Sequence, residues 1–478
     1  MRNRLRSRSF RKFSHGGSGK WRILTAAIAL MILAPAFPSY ADAQDASQIM
    51  EEASRNIEKH RKGDATIVFR AERGKPIQDA EVVIEQQSHD FLFGNIIFPV
   101  VGVLGQYRDI QVYRPEMFKG RFKGLFNMAI FPFYWSSYER IPGREDWTNI
   151  PPVLEWCKLN GITPKGHPLA WVESGGTPRW LFGMPVELTE DLLKARIIRT
   201  VKGFAGEIDV WDVVNEPTHT ITWSAVMKDP YGTRYTSIPI KDIADWVEPC
   251  FRWARQGSPE AELVLNDYEQ ISSTFILDTR ERFYKLAKEL LKRGTPLDGL
   301  GVQAHEPRSE WYSPQKFWET LNYCAELGLP LHITEFVAES SGEKIIGGYR
   351  TGTWTREAQA EYAEQIYRLT FGHPSVKSIN WWGLSDRYIW NERPAGGLID
   401  ENYRPKPVYT KLRQMIREEW MTRTSAQTAK DGSVDFRGFY GDYQVTLRTD
   451  DEKVYTFDIS LSRSEGNQWE FQVGHPSE

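Results

Sequence analysis

From Phe91 to Gly383 the chain alternates short runs of apolar residues, many β-branched or aromatic, with longer amphipathic stretches. The runs predict strands over Phe91–Phe98, Phe126–Phe131, Ile162–Leu169, Ile208–Asn215, Glu262–Asn266, Asp298–Ala304, Pro330–Thr334 and Val376–Gly383. The stretches between them, such as Leu192–Phe204, Ile240–Arg255, Thr279–Arg293, Pro314–Leu327 and Thr355–Phe371, carry the helical period. A buried strand followed by a helix, repeated eight times, predicts an α/β fold, a (β/α)8 or TIM barrel. Periodicity alone fits an open parallel sheet as well. In either case the chemistry is expected at the C-terminal ends of the strands.

Both ends of the chain depart from this rhythm. Residues 44–90 read as a polar, helix-prone segment followed by alternating Ala65–Gln87, a β-hairpin lead-in around the Gly74-Lys-Pro76 turn. The barrel is expected over 91–420. After Trp420 a polar linker, Thr422–Lys430, leads into three strand-like runs, so 421–478 reads as a small C-terminal β appendage. Residues 1–43 are different again. Arginines and lysines between Arg2 and Arg22 precede an apolar stretch, Ile23–Ala34, and a small-residue Ala41-Asp-Ala43 site. That pattern is a secretory signal peptide, with Gln44 as the expected mature start and a secreted or periplasmic destination. The apolar stretch is short for a membrane span, although an uncleaved anchor is the other reading.

Charge narrows the class of partner. The full chain has 60 Lys and Arg against 63 Asp and Glu, and its first 43 residues hold eight of the bases and one of the acids. Without them the net charge is near −10, which disfavours nucleic acid or an anionic membrane as partner. Three cysteines, Cys157, Cys250 and Cys324, are too few and too scattered for a disulfide framework or a metal site, and read as buried thiols in helices. No cofactor or metal is implied. The 18 Trp and 20 Tyr supply many flat faces of the kind that stack on sugar rings.

Two of the apolar runs stop at a glutamate: Ile208-Asp-Val-Trp-Asp-Val-Val-Asn-Glu216 and Leu329-Pro-Leu-His-Ile-Thr-Glu335. A strand that ends on a carboxylate delivers an acid to the rim of the sheet. Two such acids are what glycosidic cleavage needs, one to protonate the leaving oxygen and one to attack or steady the sugar cation. A strand-end glutamate can equally be a structural ion pair.

The strand ends resemble those of family 10 glycoside hydrolases, the endo-1,4-beta-xylanase-like barrels. Phe93-Gly-Asn95 is similar to the first strand of that family and Lys165-Gly-His167-Pro-Leu-Ala-Trp171 to its third. Trp211-Asp-Val-Val-Asn-Glu216 resembles the acid/base strand, Leu265-Asn-Asp-Tyr268 the next, and Asp298-Gly-Leu-Gly-Val-Gln303-Ala-His305 the sixth. Ile333-Thr-Glu335 resembles the nucleophile strand; Trp381-Trp382-Gly-Leu-Ser-Asp386, Trp390 and Asp400–Tyr409 resemble the closing strand and last helix. The resemblance implies a retaining double displacement with Glu216 as acid/base and Glu335 as nucleophile, the more buried Glu216 keeping its proton near neutrality. It implies that Asn215 holds the sugar 2-hydroxyl and that His305 holds Glu335. His167, Trp171, Gln303 and Tyr268 are expected to contact substrate, and Trp382 and Trp390 to stack on it.

Three positions depart from the family pattern. Phe131-Pro-Phe-Tyr-Trp-Ser-Ser137 stands where the family usually has Glu-Asn-Glu-Met/Leu-Lys-Trp, Val172 follows Trp171 where His is frequent, and Val337 replaces the Asp of Glu-x-Asp. These departures imply an altered substrate-holding shell around an intact pair of acids. The expected substrate is β-1,4-xylan or a related plant-type polysaccharide. The competing readings are a barrel glycosidase or transglycosylase on another β-glycan, and a non-catalytic carbohydrate-binding or sensing protein.

Overall fold

A computed structural model of the protein describes residues 40–478 apart from 105–106, 109, 174, 230–237, 273–278, 390–393, 464–465 and 475–478. Helix α1 (Tyr40–His60) opens this body. Its apolar positions Ala46, Ile49, Met50, Ala53 and Ile57 follow the helical period and line one face. That face packs on the helices Arg356–Gly372 and Pro314–Ala325. The cleavage signal at residue 43 falls inside α1, while the basic head and apolar stretch of the leader lie outside the described residues.

The strands that follow are β1 (Lys62–Arg70), β2 (Glu81–Gln86), β3 (Leu92–Ile96), the short ladder β4 (Val103–Leu104) and β5 (Tyr107–Arg108), and β6 (Met128–Pro132). Then come β7 (Thr163–His167), β8 (Val210–Asn215), β9 (Glu262–Asp267), β10 (Gly299–Val302), β11 (Leu331–Phe336) and β12 (Val376–Trp381). Five more close the chain: β13 (Arg423–Gln427), β14 (Ser433–Phe439), β15 (Gly441–Arg448), β16 (Val454–Leu461) and β17 (Gln468–Gln472).

Strands β3 and β6 to β12 form a closed parallel barrel in sequence order, β12 pairing back onto β3. All eight expected strands are in it. Closure is what the sequence pattern left open, and the β12–β3 pairing decides it; strands buried on both faces, such as β6, β8 and β11, fit an open sheet as well. Helices cover the outside, and Cys157, Cys250 and Cys324 are buried free thiols within three of them. Among the described residues no helix is long and apolar enough to cross a membrane.

The strands outside the barrel pair across the length of the chain. Strands β1 and β2 lie in different sheets, so the expected lead-in is not a two-stranded hairpin. β1 sits between β14, antiparallel, and β17, parallel; β2 sits between β13 and β15, with β16 beyond. The alternating residues Ala65, Ile67 and Phe69 of β1 and Val82 and Ile84 of β2 share one core with Val434, Val445, Leu447, Ile459 and Leu461. Lead-in and tail are therefore one small pair of sheets built from both ends of the chain. Arg61, buried between α1 and β1, donates to the carbonyls of Phe371, His373 and Val376, which ties this unit to a helix end and to β12.

Phe69 is fully buried against the stacked pair Phe457 and Phe471. Phe69→Ala is expected to cost about 3–5 kcal/mol in denaturant unfolding. An unfolding curve superposable on that of the unaltered protein would refute a core shared by the two chain ends.

Candidate active site

The mouth of the barrel is built by the ends of β7 to β12. The register of β8 against β9 slips between Asp212 and Val214, a bulge that re-aims the last residues of β8. Asn215 then pairs with Asn266, and Glu216 follows in the left-handed region at φ 57°. Its backbone N–H donates to the Asn266 carbonyl, while its own carbonyl accepts from Thr220 Oγ1 and the His219 N–H. A left-handed glutamate is an uncommon conformation, held here by three hydrogen bonds.

The carboxyl of Glu216 lies among protein atoms. Trp171 Nε1 donates to one oxygen at 2.8 Å and Gln303 Nε2 to the other at 3.1 Å. Burial and the negative charge of Glu335 outweigh these donors and push the carboxyl up from 4.5 to about 7. Glu335, near the end of β11 and almost fully buried, accepts from Asn266 Nδ2 at 2.9 Å. His305 Nε2 lies 3.3 Å from its other oxygen and His167 Nε2 4.0 Å from the first.

One continuous net links the two acids. Asn215 Oδ1 accepts from Asn266 Nδ2 at 2.7 Å and from Gln303 Nε2 at 3.3 Å. Asn266 also bonds Glu335, and Gln303 also bonds Glu216. Thr334 Oγ1 donates to Asn266 Oδ1 at 2.6 Å and fixes that amide. Gly301, opposite Asn266 on β10, leaves room for it, since a Cβ there would fall 2.4 Å from the amide oxygen. Gln303 Oε1 is buried without a protein hydrogen-bond partner.

Beneath the net runs a buried charge chain. Lys165 Nζ lies 2.8 Å from Asp212 Oδ1, and Asp212 Oδ2 lies 2.9 Å from His167 Nδ1. Burial alone would raise the Asp212 carboxyl, but the Lys165 ammonium and the His167 bond hold it below its ordinary value. Because Asp212 stays ionised, His167 Nδ1 carries the proton and turns Nε2 toward Glu335. A second pairing lies beside Glu216, where His219 sits between Asp267 at 2.8 Å and Glu269 at 3.2 Å. Burial works against its charge; the two carboxylates prevail and push it up to about 10.

The structure brings Asn215, His167, Trp171, Gln303 and His305 onto the two acids. Trp382 lies edge-on to His167, ring centres 5.1 Å apart, and joins a wall with Phe98 and Tyr134. The Trp171 ring closes this wall against Tyr134, and Gly175 and Gly176 let the following loop fold onto it. Tyr268 sits differently: its ring stacks on His219 at 3.8 Å, three residues past Glu216. Trp390 lies outside the described residues. Val337 is buried, and the carboxylate that faces His305 Nδ1, at 3.4 Å, belongs to Glu306.

Sequence reasoning missed Asn266, Asp212, Lys165, Glu306 and His219 as parts of this site. The available signals were an Asn-Asp at the end of β9 and an acid directly after His305. Among the described residues no cluster of three or more His, Cys, Asp or Glu side chains is arranged to hold a metal ion.

Comparison with known proteins places this geometry. The family model for glycosyl hydrolase family 10 matches residues 132–415, more than half of the chain. The chain belongs to glycosyl hydrolase family 10. Endo-1,4-beta-xylanase B of Thermotoga neapolitana is 31% identical over 302 residues, 60% of this chain and 80% of that enzyme. Anti-sigma-I factor RsgI6 of Acetivibrio thermocellus is 26% identical over 425 residues, 88% of this chain. The chain spans about half the length of that relative, 49%. The crystal structure of xylanase 10B from Thermotoga petrophila RKU-1 in complex with xylobiose superposes with a TM-score of 0.54 at 25% identity, over 69% of this chain and 95% of that one. This family 10 chain thus carries two carboxyl groups in one net at the barrel mouth, with the pKa of Glu216 raised to about 7.

That raised value has a consequence for stability. Between about pH 4.5 and 7 the folded Glu216 holds a proton that the unfolded chain has released, so this group's contribution to stability falls as pH rises through that window. Glu216→Gln removes the effect. Its melting temperature is expected to gain on the unaltered protein by several degrees between pH 4 and pH 8 in calorimetry. A pH-independent difference would contradict the raised pKa of Glu216.

Proposed function

We propose that this family 10 chain is a retaining glycoside hydrolase that cleaves β-1,4-xylan or a related plant-type polysaccharide outside the cytoplasm. The observation that carries the reading is the asymmetric pair of acids: Glu335 is supplied with the donor Asn266 and the neighbour His305, while burial keeps Glu216 protonated near neutrality. In the first step Glu216 gives its proton to the glycosidic oxygen as a Glu335 oxygen attacks the anomeric carbon. The C–O bond breaks, the shortened chain leaves as an alcohol, and the sugar is held as an ester of Glu335. Loss of the Glu335 charge removes the repulsion that raises Glu216, so its carboxylate form becomes accessible and it acts as base. Water, deprotonated by Glu216, then attacks the same carbon; the ester breaks, and both acids return to their starting states.

Asn215 is placed to hold the 2-hydroxyl of the reacting sugar, where a hydrogen bond gains strength as the ring flattens. Tyr134, Trp171 and Trp382 supply the apolar wall for ring faces. The xylobiose named for the Thermotoga petrophila structure supports a pentose glycan, and the leader pattern of residues 1–43 supports export.

A second reading, polysaccharide sensing, is favoured by one observation. A relative similar over 425 residues, 88% of this chain, is named as an anti-sigma-I factor. A sensor would bind xylo-oligosaccharides without releasing reducing ends.

Glu335→Gln and Glu216→Gln are each expected to lower kcat on xylan by roughly 10³-fold or more at unchanged fold. Azide should restore turnover of an activated aryl xyloside by the Glu216 variant, giving a glycosyl azide of retained configuration. Reducing-sugar release by the unaltered protein that neither substitution diminishes would overturn the assignment. Binding without release would establish the sensing reading.

A further inference from the structure

The ring of His305 stands between two carboxylates. Nε2 lies 3.3 Å from Glu335 Oε2, and Nδ1 lies 3.4 Å from Glu306 Oε1, on the next residue of the chain. Glu306 is anchored in turn by Arg308, whose Nη2 lies 3.0 Å from the same oxygen, and its backbone carbonyl accepts from Tyr312 Oη. The imidazole is almost fully buried, while Glu306 and Arg308 are about one-fifth exposed. A buried imidazole faces one partner most reliably when its other nitrogen is also held, because its last torsion is broad and roughly two-fold.

We propose that Glu306 is a positioning residue of this site: it holds His305 by Nδ1–H and so presents Nε2 to Glu335, with Arg308 fixing Glu306. The inference rests on Glu335 acting as the nucleophile. The charged groups around the imidazole are Glu335 from β11, Glu306 and Arg308 from its own loop, His167 across Glu335, and Glu339 beside Arg308. Within this set Glu306 is the carboxylate at the Nδ1 side. Holding the ring acts on the formation of the ester and leaves the sugar-binding wall of Tyr134, Trp171 and Trp382 untouched. The effect therefore belongs to kcat, with KM little changed.

The test uses the full chain with p-nitrophenyl β-xylobioside as substrate and 2,4-dinitrophenyl 2-deoxy-2-fluoro-β-xylobioside as trapping probe. Glu306→Gln is expected to lower kcat and the rate of Glu335 labelling by about tenfold or more, the size of loss seen when a histidine's supporting partner is removed. Glu306→Asp, which keeps the charge, should recover part of that loss. A readout independent of turnover is the His305 Nδ1–H resonance in spectra of ¹⁵N-histidine-labelled protein. Glu306 should protect it from exchange, and Glu306→Gln should broaden it into solvent exchange. If the unaltered protein is not labelled at Glu335, the hydrolase reading fails, and the resonance still decides whether Glu306 holds the ring. Unchanged kcat and labelling, or a resonance indifferent to the substitution, would overturn the role of Glu306.

Discussion

Two like charges brought together in a buried mouth repel, and the rest of this site is the means by which the barrel sustains them. Strands β8 and β11 carry the acids, but β9 and β10 lie between them in the closed sheet. What those middle strands offer is small or amide-bearing: Asn266, Gly301 and Gln303. The missing side chain at Gly301 lets the Asn266 amide swing under both neighbours, and its two bonds reach Asn215 and Glu335. A carboxylate that accepts well-aimed N–H bonds stays ionised in a buried setting, whereas one that loses more to burial than it gains from donors keeps its proton. Glu216 has donors as well, and still rises to about 7. Burial and the neighbouring Glu335 charge, more than any lack of donors, are what push Glu216 up.

The same economy of burial explains the charges below. Lys165, Asp212 and His167 form a closed sequence in which each ion has a partner, so an ammonium can lie inside the barrel. Its output is geometric: an ionised Asp212 fixes which nitrogen of His167 carries hydrogen. On the far side of Glu335 the pair of Glu306 and Arg308 stands in the corresponding relation to His305. Glu335 thus sits between two histidines, each backed by a carboxylate that is itself backed by a cation.

Strand existence and the placing of the acids were legible because both come from local pattern. A β-branched run that stops at a glutamate means the same thing whatever it pairs with. Pairing partners are a different kind of information. Alternation in Ala65–Phe69 and in Val82–Ile84 says which face is buried but not which strand buries it, and the partners of β1 lie more than 360 residues away. The lead-in and the tail therefore read as two small units and fold as one. The missed site residues share a related reason. Asp212, Asn266 and Glu306 are ordinary polar residues until closure and the β8 bulge aim them, and Tyr268 looked free to meet substrate until His219 took its ring face.

The aromatic segment after β6 shows how far a departure from a motif can be carried. In sequence, Phe131–Trp135 reads as a wholesale exchange of sugar-holding polar groups for rings. In the fold these rings have separate duties. Phe133 is buried against Trp147, Phe204 and Trp211, and Trp135 packs on Trp223 beneath the Arg196 guanidinium. Tyr134 alone of the three meets His167, Trp171 and Phe98 at the wall. Most of the segment therefore answers to packing of the barrel against its helices. The aromatic wall beside the acids therefore rests on a single tyrosine and the two tryptophans packed with it. A phenol held edge-on to His167 presents a face and one hydroxyl there, where an ammonium would present charge and three donors.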